Sequence, residues 1–387
     1  MITRMLNLAD FKGSLFLFGP RQTGKTYLIE NTISPDLYIN LLDYDSFIRY
    51  STDHSLLVNE VNKLARDNAL VVIDEIQKCP ELLNSVHLLI ERKKNVRFIL
   101  TGSSARKLRG KGVNLLGGRA TLVHLYPLTQ QELKGLFILD EALHYGTLPK
   151  IYLENDAREK MRLLKGYVET YLRTEIAQEA LVRNLPAFTR FLELAAAENG
   201  QVLNFQKIAR EIGINSKTIK EYFQILEETL IGSLVYPYKK LTRRRLISHP
   251  KFYFFDCGIV TVLKRELQKE LIKSTTEYGR AFEHWVFTQI KAAIDYYELE
   301  ATLSFYRTAD GAEVDFIVEI GNQAWAVEVK AAQSPEAASL GGLRGFLKNN
   351  PLAKGFCVCR TPNPYADGNI EFLSCDDFVQ MLTGAGH

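Results

Sequence analysis

The segment Gly19-Pro20-Arg21-Gln22-Thr23-Gly24-Lys25-Thr26 decides the fold of the first third of the chain, because it matches G-x-x-x-x-G-K-[ST] at every fixed position. An apolar run, SLFLF, precedes it, and TYLIE, which is compatible with a helix, follows it. The glycines let successive backbone N–H groups curl toward phosphate oxygens, and the next helix presents its positive end to the same anion. Lys25 would hold the β- and γ-phosphates of ATP, and the Thr26 hydroxyl would ligate Mg²⁺. The alternative, a glycine-rich turn with a chance lysine, fits this strand–loop–helix context poorly.

A second apolar run, ALVVIDEIQ at 69–77, ends in two carboxylates. In a nucleotide hydrolase Asp74 would hold Mg²⁺, through water, and Glu75 would orient or deprotonate the attacking water. The alternative is a buried strand that ends in an acidic turn. A third run, RFILTGSS at 97–104, ends in small polar residues. Ser103 or Ser104 would contact the water or the γ-phosphate as a sensor, or would simply cap a helix.

Composition narrows the class of protein. The 387 residues are 46% hydrophobic and 24% charged, which excludes a disordered chain and predicts two to four domains. The 48 basic and 45 acidic residues give a net charge of +3, which excludes a histone-like polycation but allows a local basic patch. Five scattered cysteines suggest no disulfide framework and favour a reducing, cytoplasmic location. We find no signal peptide and no apolar run of about 18 residues, so we expect no membrane partner.

The pattern of periodicity changes twice along the chain. Short apolar strands alternate with helical stretches over the first third, which predicts a parallel α/β sheet. Residues from about 130 to 235 are helical by period, and strands dominate again after about 250, with one clear helix at EYGRAFEHWVFTQIKAAI. We place the domains at 1–145, 146–240 and 241–387.

The middle region has the pattern of a winged helix. Asn204 would cap a helix over FQKIAREI, Gly213 would make the turn, Ser216 would cap the next helix, and IGSLVYPY would form a wing strand. The start of the second helix and the basic run after the wing strand are placed to contact DNA. The candidate contact residues are Lys217, Thr218, Lys220, Arg243, Arg244 and Arg245. The alternative is a packing module with a solvated charged surface.

A hairpin in the last third brings acidic groups together. A turn at Gly321-Asn322 pairs Ile320 with Gln323, and by alternation Glu313, Asp315, Glu328 and Lys330 then share one face. The other face, with Val314, Phe316, Val318, Trp325, Val327 and Val329, would pack on a core. Two carboxylates beside a lysine suit a divalent cation with oxygen ligands. The alternative is an ordinary amphipathic hairpin with cross-strand ion pairs.

Taken together, these motifs resemble a prokaryotic AAA-type ATPase fused to the C-terminal domain of unknown function numbered 4143. The residues that carry the resemblance are GPRQTGKT, VVIDEIQ, ILTGSS, LLGGRATLVHLYPLT, YVETYLRTEI, FFDCGIV, EYGRAFEHWVF, YRTADGAEVDFIVE and AVEVKA. The D-x₁₂-E-x-K arrangement resembles the PD-(D/E)xK nucleases, which also use a glutamate on a preceding helix. Glu283 in GRAFEHW is the matching residue.

The resemblance also implies an arginine that reaches the γ-phosphate on a neighbouring subunit. Arg119 in Gly117-Gly118-Arg119 is the matching position, and Arg173 in YLRTEI is a second candidate. A homo-oligomer would then be the active form, with Arg119 acting in trans. The alternative is an arginine at a loop–strand junction that pairs with a carboxylate.

The fold class that follows is α/β: a P-loop NTPase sheet with a helical lid, a winged helix and a restriction-endonuclease-like C-terminal domain. The leading function is Mg²⁺-dependent ATP hydrolysis coupled to conformational change on DNA, with Glu75, Arg119 and Ser103 as catalytic residues. A second hypothesis is a metal-dependent DNA nuclease licensed by ATP. A third is a nucleotide-switched binding module with a vestigial nuclease domain.

Overall fold

A computed structural model of the chain describes residues 2–64, 68–92, 95–106, 108, 116–176, 182, 184–238 and 249–384. The chain divides into two compact units, each built from two segments. Unit 1 comprises Met1–Pro127 and Glu228–Ile231, and unit 2 comprises Leu128–Glu227 and Gly232–His387. The three-part division at residues 145 and 240 stays a prediction.

Unit 1 is built on a five-stranded parallel sheet with strand order β2-β3-β4-β1-β5. Its elements are β1 (Ser14–Phe18), α1 (Lys25–Thr32), β2 (Leu37–Asn40), α2 (Tyr44–Thr52), α3 (Ser55–Lys63), β3 (Ala69–Asp74), α4 (Leu82–Arg92), β4 (Val96–Gly102) and β5 (Ala120–His124). Strand β4 therefore lies between β1, which leads into the glycine-rich loop, and β3, which ends in the two acids. This mixed α/β architecture is consistent with a P-loop NTPase-like fold, as predicted.

Buried apolar side chains explain why these strands form. All five residues of β1 are buried, and Phe16 and Phe18 pack in one cluster with Val71, Ile73 and Leu100 of the neighbouring strands. Helix α4 contributes to the same cluster with Leu82, Leu83, Val86 and Leu89. Burying each such side chain contributes about 1.5–3 kcal/mol, so the core fixes where the strands end and hence where their polar terminal residues lie.

Unit 2 begins with helices and ends with a large sheet. The helical part contains α5 (Gln130–Leu133), α6 (Leu139–Tyr145), α7 (Pro149–Tyr152), α8 (Ala157–Tyr167), a π-helix (Val168–Ile176), α9 (Leu185–Ala197), α10 (Phe205–Ile212) and α11 (Ser216–Glu228). Asn204 caps α10 and Gly213 ends it at φ +81°, as predicted. The cap predicted at Ser216 was wrong, because the Asn215 side chain accepts the Lys217 N–H at 2.7 Å.

The strands of unit 2, β6 to β13, form one eight-stranded sheet in the order β12-β13-β11-β10-β9-β8-β6-β7. The elements are β6 (Gly232–Pro237), β7 (Lys251–Phe254), α12 (Cys257–Leu263), α13 (Thr276–Tyr296), β8 (Ala301–Arg307), β9 (Glu313–Ile320), β10 (Gln323–Lys330), α14 (Gly341–Asn349), β11 (Lys354–Cys359), β12 (Tyr365–Asp367), β13 (Ile370–Leu373) and α15 (Cys375–Gly384). The strand predicted as a wing, β6, pairs with β7 and also runs parallel to β8. Among the helices described, none is both long and apolar enough to cross a membrane.

The β9–β10 hairpin has the predicted turn and register, from Gln323 opposite Ile320 to Val327 opposite Phe316. Strand β9 nevertheless carries a β-bulge against β8, because Asp315 and Phe316 lie where β8 has one residue. Val314 consequently packs in the cluster of Ile317, whereas the Phe316 ring faces the opposite side. The prediction that Val314 and Phe316 share a face was wrong, since strict alternation does not survive an inserted residue.

Candidate functional site

The glycine-rich loop of unit 1 has the backbone that its sequence predicts. Gln22 and Gly24 adopt left-handed φ values of +64° and +93°, and α1 begins directly after them. Gly19 lies so close to the chain after β5 that a Cβ atom there would be 2.4 Å from the Leu125 carbonyl oxygen. The loop is fastened by the Thr23 hydroxyl, which donates to the Pro20 carbonyl at 2.9 Å. Such a curl before a helix N-terminus suits a phosphate group.

Lys25 is folded back into this loop. Its ammonium donates to the carbonyl oxygens of Gly19 at 2.7 Å and Pro20 at 3.1 Å, and the residue is only 6% exposed. Burial lowers the pKa of Lys25 to about 8, although the carboxylates of Asp74 and Glu75 act in the opposite direction. The side chain is therefore a desolvated cation whose charge state responds to a nearby anion.

Asp74 is the centre of a hydrogen-bond network at the end of the sheet. Its Oδ2 accepts from the Thr26 hydroxyl at 3.0 Å and from the Tyr38 hydroxyl at 2.9 Å, and its Oδ1 accepts from the Thr101 hydroxyl. The residue is 2% exposed. Burial, together with the Asp74 charge, raises the pKa of Tyr38. The network joins the P-loop helix to strands β2, β3 and β4.

Glu75 follows in a left-handed conformation with φ +61°. Its backbone N–H donates to the Thr101 hydroxyl oxygen at 3.1 Å, and its carboxylate accepts from the Gln77 side-chain amide. A positive φ at a non-glycine residue is strained and persists because neighbouring contacts hold it. The Thr101 hydroxyl thus contacts both residues: it donates to the Asp74 carboxylate and accepts from the Glu75 backbone N–H.

The hydroxyl of Thr26 and the carboxylate of Asp74 fit a magnesium ion. They lie within hydrogen-bond distance of each other, and both are the hard oxygen donors that Mg²⁺ prefers. Such a site uses one or two protein oxygens and completes its shell with phosphate oxygens and water. The sequence prediction of Thr26 and Asp74 as metal ligands stays a prediction that this geometry supports.

The acidic residues of the unit 2 hairpin also come together. Glu328 on β10 accepts from the Lys330 ammonium at 2.6 Å, and Asp315 on β9 accepts the Val329 N–H at 2.8 Å. Glu283, which α13 supplies, accepts from the Tyr253 hydroxyl at 2.5 Å. Burial raises the pKa of Asp315, and the charges of Glu283 and Glu328 raise it further. We call Glu283, Glu313, Asp315 and Glu328 the acidic cluster.

A lysine that the sequence did not single out lies in this cluster. Lys251, the first residue of β7, is 2% exposed, and its ammonium is 2.8 Å from a Glu313 carboxylate oxygen and 3.4 Å from one of Glu283. The carboxylates of Glu283, Asp315 and Glu313 raise the pKa of Lys251 against the opposing effect of burial. The ammonium is therefore charged at every physiological pH.

The acidic cluster does not have the geometry of a divalent metal site held by three protein carboxylates, which is one way to build the metal centre that the nuclease resemblance implies. Within the described residues, no three of its carboxylates bring oxygens within 4.8 Å of one another. The one described group that meets this distance is His54, Cys79 and Glu81 in unit 1. His284, beside Glu283, has its buried Nε2 2.6 Å from the Phe254 carbonyl oxygen. Burial lowers the pKa of His284 to about 4, so the ring is neutral.

Three family models match successive parts of the chain. Residues 12–134 match the family described as AAA domain, and residues 278–378 match a domain of unknown function, DUF4143. The chain joins an AAA domain to a DUF4143 domain. Between them, residues 137–270 match a further domain of unknown function, DUF8612. The loop, Asp74 and Thr101 thus belong to the AAA domain, and all four carboxylates of the acidic cluster belong to the DUF4143 domain.

The chain is similar to several uncharacterized proteins. The chain is 26% identical over 345 residues to one from Mycobacterium tuberculosis, covering 88% of this chain and 75% of that protein. It is 23% identical over 376 residues to one from Haemophilus influenzae, covering 87% of this chain and 88% of that protein. Two solved structures are similar at lower identity. They are the DNA clamp loader delta protein of Bacillus subtilis (12% identity, TM-score 0.24, 57% and 84% covered) and a Vibrio cholerae protein (11% identity, TM-score 0.22, 90% and 97% covered).

The remaining candidate residues of the AAA domain are placed as follows. Ser103 and Ser104 are buried directly after β4, and Thr101, two residues earlier, contacts Asp74. The sensor role of Ser103 or Ser104 stays a prediction. Arg119 is exposed and forms an ion pair with Glu91. That pairing is the alternative stated for Arg119, while its action on a second copy stays a prediction. Arg173 pairs with Glu169 and Glu193.

The candidate DNA-contact residues fall into two groups. Lys217 and Lys220 are exposed near the start of α11, and Thr218 between them is half-buried. The Lys220 ammonium lies 5.5 Å from the centroid of the Phe205 ring, which is within the range of a cation–π contact. Arg243, Arg244 and Arg245 lie outside the described residues, as do Lys239 and Lys240.

Sequence reasoning missed three residues of these sites. Thr101 carried a readable signal, because it is the first polar residue after the apolar run of β4, as Asp74 is after that of β3. Lys251 also carried one, since it opens the apolar run KFYFF of a strand. A lone lysine within a buried strand requires a carboxylate partner. Tyr38 gave no local signal.

Proposed function

We propose that this protein binds ATP with Mg²⁺ at the P-loop of its AAA domain and hydrolyses it, and that hydrolysis drives a conformational change that acts on DNA. The observation that carries the proposal is the Asp74 network, in which one buried carboxylate joins Thr26 to Thr101. A glycine-rich turn of purely structural use would not require a buried acid beside its threonine. The AAA family match supports the same reading.

Each residue of the network has a separate task in the proposed reaction. The loop amides and the Lys25 ammonium bind the β- and γ-phosphates, and Thr26 and Asp74 hold the metal ion. Mg²⁺, when bound, neutralises charge that develops on the phosphate oxygens. Glu75 orients the attacking water and accepts its proton, while the Gln77 amide keeps the carboxylate in place. Thr101 sets the distance between the two acids, and Ser103 would contact the γ-phosphate.

The proposed trans action of Arg119 requires a second copy of the chain. An exposed guanidinium whose partner is the equally exposed Glu91 is held weakly, because such surface pairs contribute about 0–1 kcal/mol. Arg119 could therefore exchange that carboxylate for a phosphate on a neighbour. Dilution should then lower the specific ATPase rate, and Arg119→Ala should lower it at every concentration.

Phosphate release tests the ATPase proposal directly. Lys25→Ala should abolish release, whereas Lys12→Ala, which removes an exposed lysine of the same unit, should leave it unchanged. Glu75→Gln should retain ATP binding and lose turnover, with Glu371→Gln at an exposed position of β13 as the matched control. Unchanged phosphate release by the Lys25 variant would refute the proposal.

The DNA part of the proposal rests on the helices and hairpin of unit 2. We infer that α9, α10, α11 and the β6–β7 pair form a winged helix with Lys217, Thr218 and Lys220 at its contact surface. Arg243, Arg244 and Arg245 are proposed as further DNA-binding residues. Fluorescence anisotropy with duplex DNA should show different affinities in ATP and in ADP. Lys217→Glu with Lys220→Glu should weaken binding and reduce its salt dependence. Equal affinity in both nucleotides would remove DNA from the proposal.

A second candidate function is a nucleotide-switched binding module whose nuclease-like domain is vestigial. The observation that favours it is the buried Lys251 ammonium, which is ion-paired with Glu283 and Glu313 in the acidic cluster. The two candidates differ in turnover. A switch would bind ATP and change its partner affinity with no steady phosphate release, whereas the leading proposal requires release.

A further inference from the structure

We propose that Lys251 supplies, from within the chain, the positive charge that a PD-(D/E)xK nuclease takes from a divalent metal ion, so that the acidic cluster is complete without metal. This inference concerns unit 2 alone and does not depend on the proposed ATPase function. In this proposal Lys251 holds the carboxylates of Glu283 and Glu313 in place, so that the acidic cluster has a fixed arrangement without a metal ion.

The side chain of Lys251 is enclosed on several sides. Its ammonium lies 2.8 Å from the Glu313 carboxylate, 3.4 Å from that of Glu283 and 5.4 Å from the centroid of the Phe305 ring. An aromatic face stabilises a desolvated cation as a carboxylate does, so the pocket is built for an ammonium. Since the lysine is only 2% exposed, its charge cannot be satisfied by water.

Strand β7 provides the lysine together with a second group for the same carboxylate. Lys251 and Tyr253 are two residues apart, which places them on one face of the strand, and both bind Oε1 of Glu283. The strand is held by its antiparallel pairing with β6, in which Lys251 lies opposite Val235. Because two donors on one fixed strand bind it, the Glu283 carboxylate is oriented by the protein without a metal ion.

The charges of the cluster nearly balance without an added cation. Four carboxyl groups are opposed by three cationic side chains: Lys251, Lys330 on Glu328, and Arg307, whose guanidinium lies 3.3 Å from Glu313. A divalent ion would have to bind among carboxylates that already have these partners. It would also need several oxygens at about 2.0–2.6 Å from one point, whereas no three described carboxylates of the cluster approach within 4.8 Å.

One polar atom shows where a cation could enter if the lysine were removed. Oε2 of Glu328 is buried and has no hydrogen-bond partner, and the residue is 7% exposed. With Lys251 replaced by an apolar side chain, the carboxylates of Glu283, Glu313 and Asp315 would lose their shared cation. A divalent ion would then be the simplest replacement, with Glu328 as a further ligand.

Binding of Mn²⁺ alone to the full-length chain, followed by electron paramagnetic resonance, tests the proposal. We expect the wild type and Asp315→Asn to bind the same number of ions, because the cluster takes none. Lys251→Met should gain one site at least ten-fold tighter than any other, and Lys251→Met with Asp315→Asn should lack it. Lys354→Met, an exposed lysine of β11, is the matched control and should gain nothing. A wild-type site that Asp315→Asn removes would overturn the proposal.

If the Lys251→Met variant is unstable, its melting temperature with and without Mn²⁺ still tests the proposal, because an ion bound to the native state raises that temperature. The melting temperature of Lys251→Met should rise by about 5 °C or more when Mn²⁺ exceeds its Kd about 100-fold, and that of the wild type should not move. Lys251→Met with Glu283→Gln removes one charge of each sign and should regain stability without metal. A Lys251→Met chain that folds like the wild type and gains no Mn²⁺ site would refute the proposal. The comparison of wild type with Asp315→Asn needs no lysine variant.

Discussion

Raising the pH through 8 removes the charge from Lys25 before nucleotide is added, and this should weaken ATP binding. Burial lowers the pKa of Lys25 to about 8, against an ordinary value of 10.5. The fraction of protonated ammonium then falls from about 0.76 at pH 7.5 to about 0.09 at pH 9. A bound triphosphate favours the charged form, so protonation has to accompany binding at the higher pH.

The expected change in affinity follows from those two fractions. If only the ammonium form binds the phosphates, the Kd for ATP should weaken about 8-fold between pH 7.5 and pH 9, which is about 1.2 kcal/mol. The γ-phosphate of ATP contributes little over this range, because its second ionisation lies near pH 6. Lys25→Arg keeps a charge at both pH values, so its Kd should stay level even if it is weaker overall.

Isothermal titration calorimetry in two buffers of different ionisation enthalpy measures both quantities. At pH 8.5, each bound ATP should take up about 0.8 proton from the buffer, because only about 0.24 of the lysine is protonated beforehand. The uptake should be absent in Lys25→Arg. A wild-type Kd that is level from pH 7.5 to 9, with no proton uptake, would refute the assignment of Lys25 as a desolvated phosphate-binding cation.

Three further substitutions have expected outcomes. Thr101→Val should lower the ATPase turnover at least ten-fold and change the ATP Kd by less than three-fold, since it removes one hydrogen bond to the Asp74 carboxylate and one to the Glu75 backbone N–H but none to a loop atom; parallel losses in both would contradict this role. Gly19→Ala should abolish ATP binding in calorimetry, because its Cβ would meet the Leu125 carbonyl oxygen at 2.4 Å, whereas Gly13→Ala, with open space around it, should bind normally. The lowered pKa of His284, about 4 against 6.5, means that its contribution is present above pH 6.5 and is lost as the pH falls toward 4. In urea unfolding, the free energy of unfolding of the wild type should therefore fall by about 3 kcal/mol between pH 6.5 and pH 4, and His284→Gln should lack this fall. The same pH dependence of the free energy of unfolding in both proteins would contradict the prediction.

Local chemistry explains which features the sequence could predict. The P-loop, the cap at Asn204 and the turn at Gly321-Asn322 depend on residues that are adjacent in the chain, so their spacing is enough to identify them. The end of β3 at Asp74 was equally readable, because a buried strand stops where its apolar run stops.

Long-range pairing explains what could not be predicted. Thr101 reaches Asp74 because β4 lies beside β3 in the sheet, and a strand order is not written in any one segment. Lys251 pairs with Glu313, which lies 62 positions later in the sequence. The β-bulge at Asp315 and Phe316 has no local sequence pattern that predicts it. The residues of the acidic cluster were therefore identified, but the cation among them was not.

The segment Glu228–Ile231 belongs to unit 1 although about 100 residues of unit 2 separate it from Pro127. Leu230 packs against the same core as the strands of the nucleotide-binding sheet. During synthesis this core has to remain unfinished for about 5–20 s while the ribosome makes the intervening stretch. A gene fragment that stops after residue 127 would encode the sheet without the Leu230 contact to its core. The nascent chain should depend most on chaperones while residues 128–231 are being synthesised.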